Sequence, residues 1–193
     1  MQEPDGVNDS SLLQRIDRIE SQLAIQQLVS RYAVALDARD LDALVLLFAD
    51  DVNCGRWGTG RDALRSFYDK ILRNFYRSQH QVCGHVIDLA GPDDATGKVY
   101  CRAEHEDRGK WVVMAICYFD TYQRRAGAWH FVRREEHDWY ATDILERPGG
   151  PEFRNWPGRT DGKRSKLPHR FPTWQPFWDR GDPALPAELS SVP

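Results

Sequence analysis

Apolar residues recur at intervals of three and four along the first part of the chain. The clearest stripe lies at Ile25, Leu28, Val29, Tyr32, Ala35 and Leu36. This spacing predicts a helix with one face buried against a core. The segment before it has the same spacing, at Leu12, Ile16, Ile19 and Leu23. We therefore expect helical structure from Ser11 onward, with a bend near Ser21 between the two parts.

Two further helices and a short strand are predicted next. The stripe stops at Ala38-Arg39-Asp40, where Asp40 can cap a second helix in LDALVLLFADD. The glycine-rich stretch DVNCGRWGTG predicts a short strand that ends in turns. A third helix is predicted in GRDALRSFYDKILRNFYR, whose apolar residues at helical spacing are Leu64, Phe67, Ile71, Leu72 and Phe75.

From Gln79 the period changes to two, which indicates strands. The runs QHQVCGHVIDLAG and ATGKVYCRAEHED flank the turn Gly91-Pro92-Asp93-Asp94 and predict a hairpin. Two more strands are predicted in KWVVMAICYFDTYQRR and AWHFVRREEHDWY. The order predicts an α+β fold, in which three N-terminal helices pack in a curved antiparallel sheet and leave a cone-shaped space between helices and sheet.

The end of the chain has a different composition. Nine of the eleven prolines lie at or after Pro148, together with Trp156, Trp174 and Trp178. Prolines exclude a regular helix or inner strand, yet the aromatic residues are too apolar for a solvated tail. We therefore divide the chain into a disordered N-terminus at 1–10, one domain at 11–145 and an irregular arm at 146–193. The arm could pack on its own domain, cover a pocket or clasp a neighbouring subunit.

Composition narrows the class of protein. A net charge of -3 leaves no basic surplus to bind a phosphate backbone, so nucleic acid is not an expected partner. No window has the roughly 20 apolar residues of a membrane span, and the N-terminus lacks the pattern of a signal peptide. We therefore expect no membrane association and a cytoplasmic location. The four cysteines form no CxxC pair and are expected to be buried free thiols.

Four polar residues are candidates for chemistry. Alternation along the hairpin places His85 on the inward face of its strand and His105 on the inward face of the next. Tyr32 and Asp37 lie near the end of the long helix, at the rim of the same interior. Two inward histidines near an acid favour an active site over a satisfied core.

Other polar residues are predicted to lie on the surface. Arg134 and His137 could reach the mouth of the pocket, but a surface salt-bridge cluster is the favoured expectation for them. The remaining histidines are expected to be exposed, namely His80, His130 and His169. Gly84 is expected to mark a bulge just before His85.

The stretch RYAVALDARDLDALVLLFADDV resembles the opening of the SnoaL-like branch of the NTF2-like superfamily, and GHVIDL, VYCRAEHED and WVVMAICYFDTYQRRAGAWHFVRREEHDW resemble the strands of that branch. The resemblance covers about residues 12–142 and leaves the arm unexplained. Members include scytalone dehydratase, bile acid 7α-dehydratase, hexachlorocyclohexane dehydrochlorinase, polyketide cyclases and ketosteroid isomerase, as well as non-catalytic proteins. In the dehydratase and dehydrochlorinase members, an aspartate ending the first long helix pairs with a histidine on the first strand of the hairpin.

The resemblance assigns that pair to Asp37 and His85, and it implies a cofactor-independent lyase or isomerase, dehydratase-like or polyketide cyclase-like. His85 would remove a proton next to a carbonyl, while Tyr32 and His105 stabilise charge on oxygen. The implied substrate is a cyclic, largely apolar small molecule, and a homodimer or homotrimer is expected. Candidate residues for lining the substrate site are Trp57, Phe67, Trp111, Met114, Tyr118 and Phe131.

Two alternatives stay open at this point. Asp37, His85 and His105 have the ligand types of a two-histidine, one-carboxylate metal site, although the favoured assignment has no metal. The chain could also be a non-catalytic ligand-binding protein or a scaffold like an oxygenase β-subunit, in which Asp37 and His85 make only a buried pair. The substrate, and the choice among elimination, isomerisation and cyclisation, are left open by the sequence.

Overall fold

The computed structural model describes residues 9–149, 153–156 and 165–180. The helices are α1 Asp9–Ala38, α2 Leu41–Leu46, α3 Arg61–Leu72 and, in the arm, α4 Trp174–Asp179. The strands are β1 Ser78–Leu89, β2 Asp94–Asp107, β3 Lys110–Arg125 and β4 Ala128–Asp143. These strands form one antiparallel sheet in the order β1-β2-β3-β4. The predicted α+β fold, three helices followed by a four-stranded meander, is confirmed.

The second half of α1 packs against the inner face of the sheet. All six residues of the predicted stripe are buried, from Ile25 to Leu36. The first half continues the same helix without interruption through Ser21. Residues 9 and 10, predicted to be disordered, form its first turn, and the rest of that N-terminal segment lies outside the described residues. None of the described helices is long and apolar enough to span a membrane.

The corner after α1 forms as predicted, but the short strand predicted after it does not form. The Asp40 side chain accepts a hydrogen bond from the backbone N–H of Ala43 at 2.9 Å and caps α2. The stretch DVNCGRWGTG forms a single 3₁₀ turn at Gly55–Trp57, closed by an isolated bridge between Asn53 and Thr59. Its glycines adopt positive φ, which turns the chain and prevents an extended strand.

A bulge in β1 decides which side chains face the helices. The pairing of β1 with β2 skips Cys83, between Val82 and Gly84. One extra residue reverses the alternation, so His80 before the bulge and His85 after it both point to the inner face. Uninterrupted alternation would place them on opposite faces. The bulge predicted at Gly84 is therefore confirmed, and it brings a second histidine inward.

The described part of the arm packs on its own domain. Arg154 forms a bridge with Ala141 of β4, and the Trp156 side chain is buried. Farther along, the Phe171 ring lies 5.8 Å from the ring of Phe119 on the outer face of the sheet. Of the three arrangements left open by the sequence, the described residues adopt the first, and Trp156 also reaches the interior.

Candidate active site

A cavity of about 380 Å³ lies between the helices and the inner face of the sheet. Its polar lining residues are Tyr32, Tyr68, His80, His105, Arg134, Glu136 and Arg154. The volume falls in the range of small-molecule sites. A wider depression of about 660 Å³ adjoins this cavity at Leu72 and Phe75, but no histidine lines it. The cavity is therefore the candidate active site, and the depression is a part of the surface that adjoins it.

Asp37 and His80 form a hydrogen-bonded pair at the cavity wall. Asp37 Oδ1 lies 2.7 Å from His80 Nδ1, and Asp37 Oδ2 accepts the backbone N–H of His80 at 2.7 Å. A carboxylate can only accept, so this hydrogen bond places a proton on Nδ1, and in the neutral imidazole the lone pair is then on Nε2. No hydrogen bond among the described residues involves Nε2. The pair thus presents a basic nitrogen on a ring that lines the cavity.

Neighbouring residues hold the Asp37 carboxylate in its ionised form. Ser78 donates its hydroxyl to Asp37 Oδ1 at 2.9 Å, and Arg39 donates to the Ser78 oxygen at 2.8 Å. Burial opposes ionisation, yet the hydrogen bonds from His80 and Ser78 outweigh it and hold the pKa of Asp37 below its usual value. Asp37 is therefore a carboxylate at neutral pH, which orients His80 and stabilises its protonated form.

The predicted partnership of Asp37 with His85 is wrong. His85 Nε2 lies 3.1 Å from the hydroxyl of Tyr122, which in turn donates to Asp120 Oδ2 at 2.8 Å. Gly97 lies on β2, between the strands that carry His85 and Tyr122. A side-chain carbon at Gly97 would come within 2.9 Å of His85 Nε2. Burial and the charge of Arg134 lower the pKa of His85 to about 4, so the ring is neutral.

The separation of His85 from His105 also rules out the alternative in which these two histidines and Asp37 bind a metal. His85 pairs with Val99 of β2, whereas His105 of β2 pairs with Ser78. Six residues of strand separate Val99 from His105, or about 20 Å at 3.3 Å per residue. His85 therefore cannot share a ligand site with His105 and Asp37. No group of three or more metal-ligating side chains occurs in the part of the chain that the structure describes.

Tyr32 lies on the cavity wall, as the sequence predicts. Its hydroxyl is 3.2 Å from that of Tyr68 on α3, so one donates to the other and the second proton is free for a ligand. Burial raises the pKa of Tyr32 to about 12 and that of Tyr68 well above its usual value. Both hydroxyls stay protonated and can act as hydrogen-bond donors.

His105 also lines the cavity, beside the arm. Its ring centroid lies 5.6 Å from that of His80, nearly perpendicular to it, and 5.0 Å from that of Trp156. The Trp156 indole donates to Asp107 Oδ2 at 2.6 Å, which anchors the ring. Residues beyond the cone-shaped domain thus supply part of the wall next to His105.

Arg134 is a buried cation on the opposite part of the wall, and the predicted surface salt-bridge cluster is wrong for it. Its guanidinium carbon lies 4.1 Å from the ring centroid of Tyr32 and 3.9 Å from that of Tyr118. Its Nη2 lies 3.4 Å from Asp120 Oδ2, and both side chains are at most 5% exposed. His137 is buried too, against Phe119 on the outer face of the sheet.

The predicted substrate-binding residues divide into two groups. Phe67, Met114 and Tyr118 line the cavity. The cavity lining does not include Trp57, Trp111 or Phe131, and for these three the prediction is wrong. Their positions explain the difference.

The Trp57 ring lies beside Phe67 in the turn before α3, and Trp111 donates to Glu104 on the outer face of the sheet. Phe131 is fully buried against Phe48, behind the cavity wall.

Six lining residues with polar side-chain atoms were not predicted from the sequence, namely Tyr68, His80, Arg134, Glu136, Arg154 and Trp156. Two signals were available. A bulge at Gly84, once accepted, reverses the parity and turns His80 inward. Tyr68 lies four residues after Leu64, on the same helical stripe. No spacing rule could have placed Trp156, because its position depends on how an irregular segment folds back.

The fold and cavity define a small α+β domain with a ligand site between its helices and sheet. The chain belongs to the family of SnoaL-like domains, whose model matches residues 17–135. This places it among the NTF2-like proteins, and the resemblance found in the sequence is confirmed.

Individual relatives fit the same class. The chain is 27% identical over 139 residues to an uncharacterized protein of Mycobacterium tuberculosis, covering 68% of this chain and 93% of the relative. It is 25% identical over 136 residues to the gamma-hexachlorocyclohexane dehydrochlorinase of Sphingobium indicum, covering 67% and 87%. The crystal structure of a candidate scytalone dehydratase from Novosphingobium aromaticivorans superposes with a TM-score of 0.60 at 26% identity, covering 69% and 93%.

Proposed function

We propose that this protein is a lyase or isomerase in which His80 removes a proton from the carbon next to a carbonyl group. The observation that carries the proposal is the 2.7 Å hydrogen bond between Asp37 Oδ1 and His80 Nδ1, on a histidine that lines the cavity. Similarity to a dehydrochlorinase and to a candidate dehydratase supports an elimination. His80 takes the role that the sequence analysis gave to His85.

The residues around the cavity have complementary tasks. Asp37 holds His80 in the tautomer that has its lone pair on Nε2, and it then stabilises the imidazolium formed when Nε2 accepts the proton. Tyr32 and Tyr68 donate hydrogen bonds to the carbonyl oxygen as it becomes an enolate. His105 lies beside His80 and contacts the same substrate. Side chains of this chain thus supply the base and the oxyanion donors, which is the basis for proposing a cofactor-independent reaction.

The lining favours a flat, largely apolar substrate. Leu36, Ile71, Met114 and the ring of Tyr118 surround the polar groups. A cyclic or polycyclic ketone of up to about 15 non-hydrogen atoms fits a cavity of about 380 Å³.

The protein is further proposed to act in the cytoplasm as a homodimer or homotrimer. The first half of α1 supports such contacts, since Leu13 is 66% exposed and Ile19 and Leu23 are each 56% exposed.

Hydrogen exchange at a carbon atom tests the proposed base without knowledge of the leaving group. In D₂O the wild-type protein should accelerate the loss of α-protons from α-tetralone and indanone, followed by proton NMR. Asp37→Asn should lower this exchange at least about 100-fold, because an amide holds His80 in the wrong tautomer. Asp40→Asn is the matched control, since Asp40 caps α2 outside the cavity. Exchange at the buffer rate with wild-type protein would contradict the proposal.

A further inference from the structure

Glu136 is an acidic side chain of the cavity that the proposed proton abstraction does not use. It lies on β4 opposite Tyr118 of β3, and its side chain is accessible because it faces the cavity. No hydrogen bond or ion pair joins its carboxyl group to another described residue. A carboxyl group held in a ligand site without a protein partner is available to a ligand.

The surroundings of Glu136 raise the pKa of its carboxyl group. The side chain is accessible to solvent through the cavity, and protein atoms surround it on its other sides. Burial raises the pKa of Glu136, and the Asp138 carboxylate adds to the rise against the charges of His80, Arg154 and Arg134. Tyr32, one of the hydroxyl donors of the cavity, has a pKa raised to about 12 and is a much weaker acid.

Glu136 and His80 are placed so that both can contact one ligand. His80 lies on β1 and Glu136 on β4, the two edge strands of the sheet, and both line the one cavity. Because the two strands lie at opposite edges of the sheet, a ligand that fills the cavity can contact both side chains. One can accept a proton from carbon while the other gives a proton to a departing group.

We infer that Glu136 is the acid that protonates a leaving hydroxyl group, so that the site eliminates water from β-hydroxyketones. This inference rests on the proposed function of His80. Hydroxide is a poor leaving group and needs a proton as the bond to carbon breaks, whereas chloride leaves without one. A carboxylic acid at this position therefore matches a hydroxylated substrate rather than a halogenated one.

The step balances in atoms and charge. The α-carbon proton moves to His80 Nε2, and its electron pair forms the carbon–carbon double bond. The carbon–oxygen bond breaks with both electrons on oxygen, which takes the proton of the Glu136 carboxyl group and leaves as water. His80 is then protonated and Glu136 ionised, and transfer of one proton from His80 to Glu136 through solvent restores the starting state.

Two substrates with different leaving groups test the role of Glu136. β-Hydroxyindanone and β-chloroindanone lose water and hydrogen chloride, respectively, to give the same indenone, which is followed by its absorbance. Glu136→Gln should lower turnover of the hydroxyketone at least about 100-fold and leave that of the chloroketone within about threefold, once the uncatalysed rate is subtracted. Glu135→Gln is the matched control, since Glu135 pairs with Arg133 away from the cavity and should change neither rate.

The other outcomes separate this inference from the proposed function. An equal loss on both substrates, or no loss on the hydroxyketone, would overturn the role of Glu136 as acid. Wild-type turnover of the chloroketone alone, with α-proton exchange intact, would also overturn it and leave His80 as the base. Absence of both exchange and turnover would remove the proposed function and the inference with it.

Discussion

Replacing His80 by glutamine is expected to lower the exchange of α-protons in α-tetralone at least about 100-fold, the usual contribution of a positioned base. Glutamine has no nitrogen lone pair to accept the proton. The matched change His85→Gln should leave the rate within about threefold, because His85 faces Tyr122 and Asp120 rather than Asp37. Proton NMR of the ketone in D₂O measures both rates.

The comparison requires that both variants remain folded, which circular dichroism and thermal unfolding establish. His80 and His85 lie on one strand and one face, so each variant is a control for the effect of the other on the sheet. If His85→Gln lost the exchange and His80→Gln kept it, the original assignment from the sequence would be right and the present one wrong.

Replacing Arg134 by methionine is expected to lower the free energy of unfolding by about 3–5 kcal/mol at pH 8, because the buried Asp120 carboxylate loses its counter-charge. Methionine keeps apolar contact with the rings of Tyr32 and Tyr118. Urea denaturation measures the change. The double variant Asp120→Asn/Arg134→Met should recover most of the loss, since it removes both charges and keeps an acceptor for the hydroxyl of Tyr122. A fully stable single variant would show that the pair contributes nothing.

The loss of stability caused by Arg134→Met should depend on pH in a defined direction. Burial raises the pKa of Asp120 from an ordinary 3.8 to about 6, against the charge of Arg134. A folded-state pKa above the unfolded value means that the folded protein binds more protons, so stability falls as pH rises between the two values. Without Arg134 the folded-state pKa rises further. The destabilisation by Arg134→Met should therefore be smaller at pH 5 than at pH 8.

The helices and strands were predictable because each follows one period over many residues. The stripe from Ile25 to Leu36 and the strand Lys110–Arg125 are examples, and both match their predictions. The structure of the segment DVNCGRWGTG was not predictable, because its glycines allow several turns and the segment has no periodicity that favours one of them. In such a short segment, local backbone geometry outweighs strand propensity.

The candidate site was predictable only in part. Tyr32 and Asp37 lie on a regular helix, and the structure places Tyr32 in the cavity lining and joins Asp37 to His80, which also lines the cavity. The histidine partner depended on one extra residue at Cys83, which changes the face of every residue on one side of it. Glu136 and Arg134 lie on a strand with two register shifts, where alternation again fails.

The position of Trp156 could not be predicted for a different reason. Its place beside His105 depends on how the arm folds back onto the domain and on the hydrogen bond to Asp107. Composition indicates that the arm should pack somewhere, because its aromatic residues are apolar. Composition does not indicate which surface the arm covers, because that depends on a contact between residues 49 positions apart.

A crystal structure with bound α-naphthol, a planar analogue of the tetralone enolate, tests the role of the Asp37–His80 pair most directly. The account predicts the naphthol oxygen within hydrogen-bond distance of Tyr32 or Tyr68, and the adjacent ring carbon about 3–3.5 Å from His80 Nε2. The Asp37–His80 hydrogen bond should remain in place. A naphthol bound beside His85, or a His80 ring whose Nε2 points away from the ligand, would contradict it.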